Sequence, residues 1–419
     1  MKRKKIDIIV IGGGSAGLAS AIEADKMGLK VAILERDCRL GGILNQCIHN
    51  GFGLNYFKQE LTGPEYAQKF VDKLSNTNIK IFLGTTVLEI EKKEADFREN
   101  INYKIRTISR NGEIYFEAKS VIFATGCREK PSGSISLCGS RPAGIISAGS
   151  AQRLINIYGK MVGKKIVVVG SGDIGLIMAR RLRFEGAEVL GVYEIMPYPS
   201  GLKRNIVQCL EDYEIPLHLS KTVCEVVGKD RVEGVWVAPV KNDFSLDEEK
   251  KEFVPCDTVV LSIGLVPEND LATSVGIKLN NITNGAMVDE YLQTNLAGIF
   301  SCGNGLHVHD IVDNVSREAE RAGQNSAKFV LRQLKCDNPH SILPKNGVRY
   351  TNPSIFYEGD GVLNINFRSN NIYRDKKIVV KCGDKIIREI EKKIILPAEM
   401  ETIVVAKNNL MCDLEVSIE

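Results

Sequence analysis

Two glycine-rich turns carry the first chemistry in this chain. Gly12-x-Gly14-x-x-Gly17 follows the apolar run Ile6–Ile11, and Gly170-x-Gly172-x-x-Gly175 follows a second such run. In each, the first glycine permits a tight turn, the second lets the backbone meet a pyrophosphate, and the third allows close strand–helix packing. The helix opening at each turn, with Ser15 and Ala16 in the first and Asp173 and Ile174 in the second, offers unpaired N–H groups and a positive dipole end. An acid ends the strand that follows: Glu35, 23 residues after Gly12, and Glu194, 24 residues after Gly170. Either carboxylate can accept hydrogen bonds from ribose hydroxyls. At about 5 Å, Glu194 would repel a 2′-phosphate by roughly 1–3 kcal/mol per unit charge. Ile195 and Met196 follow it, and no arginine compensates, so the second turn is expected to prefer NAD(H) to NADP(H).

The elements that must hold these residues occur twice. The first copy reads strand, glycine turn, helix and strand, with Gly28 ending the helix and Glu35 the second strand. Residues 80–120 alternate apolar and polar, which predicts a small antiparallel meander. VIFATG (121–126) reads as a buried strand ending in glycine, and VVLSIG (259–264) as its counterpart in the second copy. GIFSCGNG (298–305) reads as a strand and turn, and Ser316 fits an N-cap that opens a helix to about Leu334, with Glu318 and Glu320 in its first turn. From Pro344 onward the pattern becomes alternating strands and turns. The expected fold class is therefore α/β: two Rossmann-like dinucleotide-binding domains plus a small C-terminal β domain.

Composition narrows the function. The chain has 419 residues, 44% hydrophobic and 26% charged, with a net charge of +3. That balance gives no case for nucleic-acid binding, and no apolar run reaches the roughly 20 residues of a membrane span. The basic start MKRKK reads as a solvated lead into the first strand rather than a signal peptide, which implies a cytoplasmic protein. The 11 cysteines are scattered, odd in number and nowhere form C-x-x-C, so a disulfide scaffold or zinc ribbon is not expected.

Two dinucleotide folds in one chain resemble the two-dinucleotide-binding-domain flavoproteins, which include thioredoxin reductase, glutathione reductase and NADH oxidases. The resemblance covers about residues 6–335. It implies FAD in the first fold and the nicotinamide nucleotide in an inserted second fold, dividing the chain into 1–143 plus 275–340 for FAD, 144–274 for NAD(H), and 341–419 as the β domain, for which an assembly role is expected. It further implies FAD contacts from Gly12, Gly14, Ser15, Ala16, Gly17, Glu35, Arg36, Gly42, Ile43, Gln46, Cys47 and Val87. Ala124-Thr125-Gly126 resembles the family's ATG strand, and Gly303-Asn304 stands where its later Gly-Asp usually does. NAD(H) contacts are implied for Gly170, Gly172, Asp173, Ile174, Gly175, Glu194 and Gly264.

The sequence departs from the family where disulfide chemistry would sit. The segment Gly41–Gly51 holds a single cysteine, Cys47, so the C-x-x-x-x-C dithiol cannot form. Cys47 could cycle through a sulfenic acid or simply pack beside the flavin, and His49 could orient substrate or serve structure. These two are the candidate catalytic residues. Cys302 reads as buried and inert. His307-x-His309 invites a metal reading but shows no evident third ligand, and contact near the flavin is the better one, so no metal is expected.

Three longer stretches, 43–67, 194–217 and 302–323, are similar to the flavoprotein encoded beside bacterial glycerol-3-phosphate dehydrogenase and to flavin subunits of opine oxidases and hydrogen cyanide synthase. That likeness implies an FAD-dependent NADH-oxidising enzyme that passes electrons to oxygen or to a partner flavoprotein. The partners it implies are a small cysteine-containing protein and a flavoprotein of the glycerol-3-phosphate dehydrogenase type, and an oligomer is compatible with it. Cys336, Cys382 and Cys412 are too few for the [2Fe–2S] cluster of some relatives. The alternatives are an electron-relay flavin subunit of a glycerol-3-phosphate dehydrogenase complex, inactive alone, and a non-catalytic flavoprotein scaffold.

Overall fold

The computed structural model describes residues 3–93, 102–135, 137–408 and 410–419. The chain divides into two units, residues 1–127 with 267–419, and residues 128–266.

In the first unit the strand Arg3–Ile11 lies between Val31–Leu34 and Gly112–Phe123, parallel to both. Ile8, Ile9 and Val10 are fully buried, as expected of a parallel strand covered on both faces. Ile299–Ser301 adds a further parallel neighbour beside Val121–Phe123. The expected meander exists as Thr85–Lys93, Asn102–Ser109 and Gly112–Phe123, all antiparallel, while its connection at 94–101 lies outside the described residues. Lys80–Phe82 instead pairs parallel with Val31–Leu34. Helices Ser15–Asp25 and Val312–Val330 pack together, and only glycine fits at position 323, where a Cβ would strike the Ser20 backbone.

The second unit repeats the theme. Its five-stranded parallel sheet runs Ile145–Ser147, Thr258–Leu261, Lys165–Val169, Glu188–Glu194, Leu217–Leu219. Helix Ala148–Tyr158 starts on a Ser147 side-chain cap and ends at Gly159 in the left-handed region.

These contacts correct the expected domain limits of 143/144 and 274/275. Cys138–Gly139 pairs with Lys221–Gly228, so the second unit begins earlier, at residue 128. Ala272 belongs to the first unit's core, so that unit resumes earlier too.

The C-terminal residues form two facing sheets around Phe356, Leu363, Ile365, Phe367 and Val380. Contacts place this β domain in the same unit as the first glycine turn. One difference from the cysteine reading is a disulfide, Cys382–Cys412, with Cα atoms 5.8 Å apart. Its cause is strand pairing: Cys382 lies opposite Leu414. Among the described residues, no helix is long and apolar enough to cross a membrane.

A buried polar cluster ties the β domain to the rest of its unit. Tyr357 donates its hydroxyl to Asp289 Oδ2 at 3.1 Å, and Lys407 Nζ donates to Glu290 Oε1 at 2.7 Å. Burial pushes the Asp289 carboxyl up to about 6, against hydrogen bonds from Gln293 and Tyr357 that favour its charge. A raised carboxyl pKa means that its stabilising contribution is complete below about pH 4 and is lost as pH rises through about 6. Stability of this unit is therefore expected to fall by about 2–3 kcal/mol across that window. Asp289→Asn, which keeps an acceptor for the Tyr291 and Gln293 N–H groups, should flatten this dependence in thermal melts between pH 4 and 7.

Candidate functional site

The two glycine turns are built alike, down to the role of the acid. Gly12 has φ +106° and Gly170 φ +92°, and a Cβ on either would strike a neighbouring strand's carbonyl, that of Ala124 or of Ser262. A Cβ on Gly17 would strike the carbonyl of Gly12, and one on Gly175 would meet that of Gly170 at 2.8 Å. Gly14 is different: its nearest neighbour would be Gly42 Cα at 3.9 Å, so open space lies over it. That space is where a pyrophosphate approaches the turn.

Glu35 is buried and accepts the Gly13 N–H at 2.5 Å on one oxygen and the Asp37 N–H at 2.7 Å on the other. Each oxygen keeps a lone pair for a ribose hydroxyl. Glu194 repeats both contacts, with the Ser171 N–H at 3.0 Å and the Met196 N–H at 3.0 Å. It also accepts the hydroxyls of Ser171 at 2.5 Å and Ser200 at 3.0 Å. Asp173 Oδ1 accepts the Leu202 N–H at 2.8 Å, which lays the segment after Glu194 beside the second turn. Ile174 follows in the same first helical turn, and Gly264, at φ +102°, ends the crossing strand's loop.

The remaining residues expected to hold FAD all fall in the first unit. Ser15 and Ala16 open the helix, Ala124–Gly126 follow the strand Gly112–Phe123, and Gly303 packs against Ala16, which a Cβ would meet at 2.8 Å. Gly42, Ile43 and Gln46 form a short 3₁₀ turn beside Gly14, and Val87 packs on the unit's core. Arg36 is exposed. The residues fit a dinucleotide: the space over Gly14 is open, and the buried Thr125 hydroxyl has no partner among the described residues.

Cys47 and His49 lie just after the 3₁₀ turn Gly42–Gln46. Cys47 Sγ contacts Ile43 O at 3.4 Å, and its carbonyl accepts the Gly63 N–H at 2.8 Å. Burial pushes its thiol up to about 12, so the thiolate that a sulfenic-acid cycle needs is absent at neutral pH. The His49 ring lies 5.0 Å from that of Phe52.

The last helix corrects another expectation. It runs Val312–Val330, so Ser316 is not its cap and Glu318 and Glu320 lie beyond its first turn. Asp313 takes the first-turn position and accepts the N–H groups of Gly53 and Asn55 at 3.1 and 2.8 Å. Ser316 is buried, its hydroxyl 2.8 Å from that of Tyr66. Cys302 is buried, and desolvation holds its thiol far above the ordinary range, in keeping with an inert residue.

The earlier helix start brings Glu318 beneath the preceding loop, where it becomes the third member of the His307–His309 set. Glu318 Oε2 lies 2.7 Å from His307 Nε2, and Oε1 lies 3.1 Å from His309 Nε2. The sequence signal for Glu318 is its helical register, which a shifted start conceals. The carboxylate engages both imidazoles directly, and among the described residues no fourth donor joins them.

The sequence pattern of the pyridine nucleotide-disulphide oxidoreductase family matches residues 6–326. An opine oxidase subunit of Agrobacterium tumefaciens is 22% identical over 95% of this chain and 81% of its own length. The NADH oxidase of Methanocaldococcus jannaschii is 27% identical over 73% of this chain, which spans 64% of that protein. Among solved structures, the thioredoxin reductase of T. acidophilum aligns with a TM-score of 0.63 at 23% identity, covering 78% of this chain and 98% of that one. That likeness bears on the fold, a two-domain Rossmann α/β architecture.

Proposed function

Because the chain belongs to the pyridine nucleotide-disulphide oxidoreductase family, we propose that it oxidises NADH and passes the electrons, through FAD, to oxygen or to a partner protein. Members of the family bind FAD and NAD(P)H. The observation that carries the reading is the pair of matching cradles, in which Glu35 and Glu194 brace the two glycine turns by equivalent backbone hydrogen bonds.

Bound FAD supplies the redox chemistry, accepting a hydride and releasing electrons onward. The protein's part is to bind and orient. Gly12, Gly14 and Gly17 hold the first turn against the strand end, and the N-terminus of the helix Ser15–Asp25 would receive the phosphates of a bound dinucleotide. Glu194 places a negative charge where an NADP 2′-phosphate would lie, which supports NADH as the donor. Without a dithiol near the first turn, and with Cys47 held as a neutral thiol, disulfide reduction by an internal cysteine pair has no support.

Mixing the FAD-loaded protein with NADH under argon tests this. The flavin absorbance should bleach, with kcat/KM for NADH exceeding that for NADPH roughly 10- to 100-fold. Persistent yellow colour would defeat the reading. The likeness to a relative named as an oxidase subunit supports a second version, in which electrons pass to a partner subunit; the partner proposed is of the glycerol-3-phosphate dehydrogenase type. A rate of NADH oxidation that does not change when that partner is added would remove it.

A further inference from the structure

His307, His309 and Glu318 are buried together, with Glu318 5% and His307 1% exposed. Glu318 also accepts the Gly303 N–H at 2.8 Å. An ionised carboxylate can only accept, so each Nε2 facing it carries a proton. Each Nδ1 is then a lone pair when its ring is neutral. Both Nδ1 atoms are buried, and neither has a hydrogen-bond partner among the described residues. Buried acceptors without partners are uncommon and call for an explanation.

The charges around the cluster leave room for one more proton. Asp310, on the same loop, is paired with Arg368 of the strand Val362–Ser369. Arg321, one turn along the helix from Glu318, offsets the Glu318 charge and donates to the Glu290 carbonyl at 3.0 Å. Glu290 itself is paired with Lys407. Tyr350 faces His307 from the strand Val348–Asn352, with ring centroids 6.5 Å apart, and the Cys302 thiol is neutral. Burial would raise Glu318, but His309 and His307 beside it hold it well below the usual carboxylate range. Burial also holds His307 below the usual imidazole range, against the pull of Glu318. His307 is therefore held short of a proton at rest, and added negative charge nearby would favour filling it.

We propose that His307, Glu318 and His309 form a buried proton store that takes up one solvent proton when the flavin held by this fold is reduced. The cluster is tied to the loop expected to meet FAD: the His309 N–H donates to Asn304 Oδ1 at 3.1 Å, and Glu318 holds Gly303. His307 also borders a small cavity lined by Asn280, Thr283, Tyr350 and Asn352. The Asn352 side-chain nitrogen there has no partner among the described residues, so the lining can hold the water that delivers the proton. The balance is simple. A hydride brings two electrons and one proton, leaving one extra negative charge. The stored proton comes from solvent, forms one N–H bond at the Nδ1 of His307, and adds one positive charge to the cluster.

The proposal rests on FAD binding in the first unit but not on NADH as donor, so reduction is carried out at an electrode. The FAD-loaded wild-type protein is reduced coulometrically under argon in weak buffer with a pH-indicator dye. The flavin spectrum shows how many protons the flavin itself has taken, and the dye counts the total. The expected total is one proton per flavin above the spectral count. Equality of the two overturns the proposal. His307→Gln and His309→Gln proteins that hold FAD should lose the extra proton, and its retention in both is equally fatal. Stoichiometric metal in the purified wild-type protein would also overturn it, because the ion would occupy the Nε2 positions. Failure to retain flavin at all would instead count against the FAD assignment.

Discussion

Gly14→Ala is expected to fold like the wild-type chain and to bind FAD roughly 10- to 100-fold more weakly. The difference lies in which glycine is needed by the fold and which by the ligand. Gly14 has φ −76° and ψ −171°, a conformation open to any L-residue, and its added Cβ meets nothing closer than Gly42 Cα at 3.9 Å. The apo protein should lose no more than about 1 kcal/mol, the cost of alanine in place of glycine at this helix N-cap. The new methyl group stands in the space left for the pyrophosphate and separates it from the helix N–H groups, so the loss falls on binding. Gly17→Ala should behave oppositely. Its Cβ runs into the Gly12 carbonyl inside the turn, which must distort even without ligand. Thermal melts of the two apo proteins, with FAD titrations followed by flavin fluorescence, separate the effects. An unchanged affinity for Gly14→Ala would mean that the pyrophosphate does not lie on this turn.

That contrast shows which features the sequence makes legible. The strand, turn and helix around Gly12 and Gly170 can be read because each requirement is local. A positive φ, a close carbonyl and an acid one strand later all fall within a single βαβ unit. The carboxylates are legible in position but only partly in role. Both Glu35 and Glu194 brace their own turns, a bond network that depends on backbone N–H groups the sequence does not mark. The features that escape depend on distant chain. Ser316 has the chemistry of an N-cap, yet Asp313 takes the first turn because the N–H groups of Gly53 and Asn55 need its carboxylate. Glu318 joins two histidines only once that earlier start is fixed. Cys382 and Cys412 meet because two strands pair. Cys47 looks reactive by type and place, but burial, which a single sequence does not display, decides its protonation.

Lys407→Met is expected to destabilise the first unit by about 3–5 kcal/mol, lowering its melting temperature by roughly 6–20 °C. Lys407 is 4% exposed and Glu290 7% exposed, so neither charge can turn to water. Glu290 Oε1 accepts both the Lys407 ammonium at 2.7 Å and the Tyr357 N–H at 2.8 Å. With the lysine gone, a buried carboxylate keeps one neutral donor and loses its counter-charge. Breaking such a pair costs far more than the pair itself is worth, because the surviving ion is left desolvated. The double variant Lys407→Met/Glu290→Gln should therefore recover most of the loss, since glutamine still accepts from Tyr357 and carries no charge. A single variant that melts within about a degree of wild type would show that the pair is not buried in solution. The neighbouring acid gives a second reading of the same cluster. The Glu290 charge helps to raise Asp289, so in the double variant Asp289 should titrate below about 6, and the pH-dependent loss of stability should be smaller and complete at lower pH. A melting profile whose pH midpoint does not move would mean that the two carboxylates are not coupled.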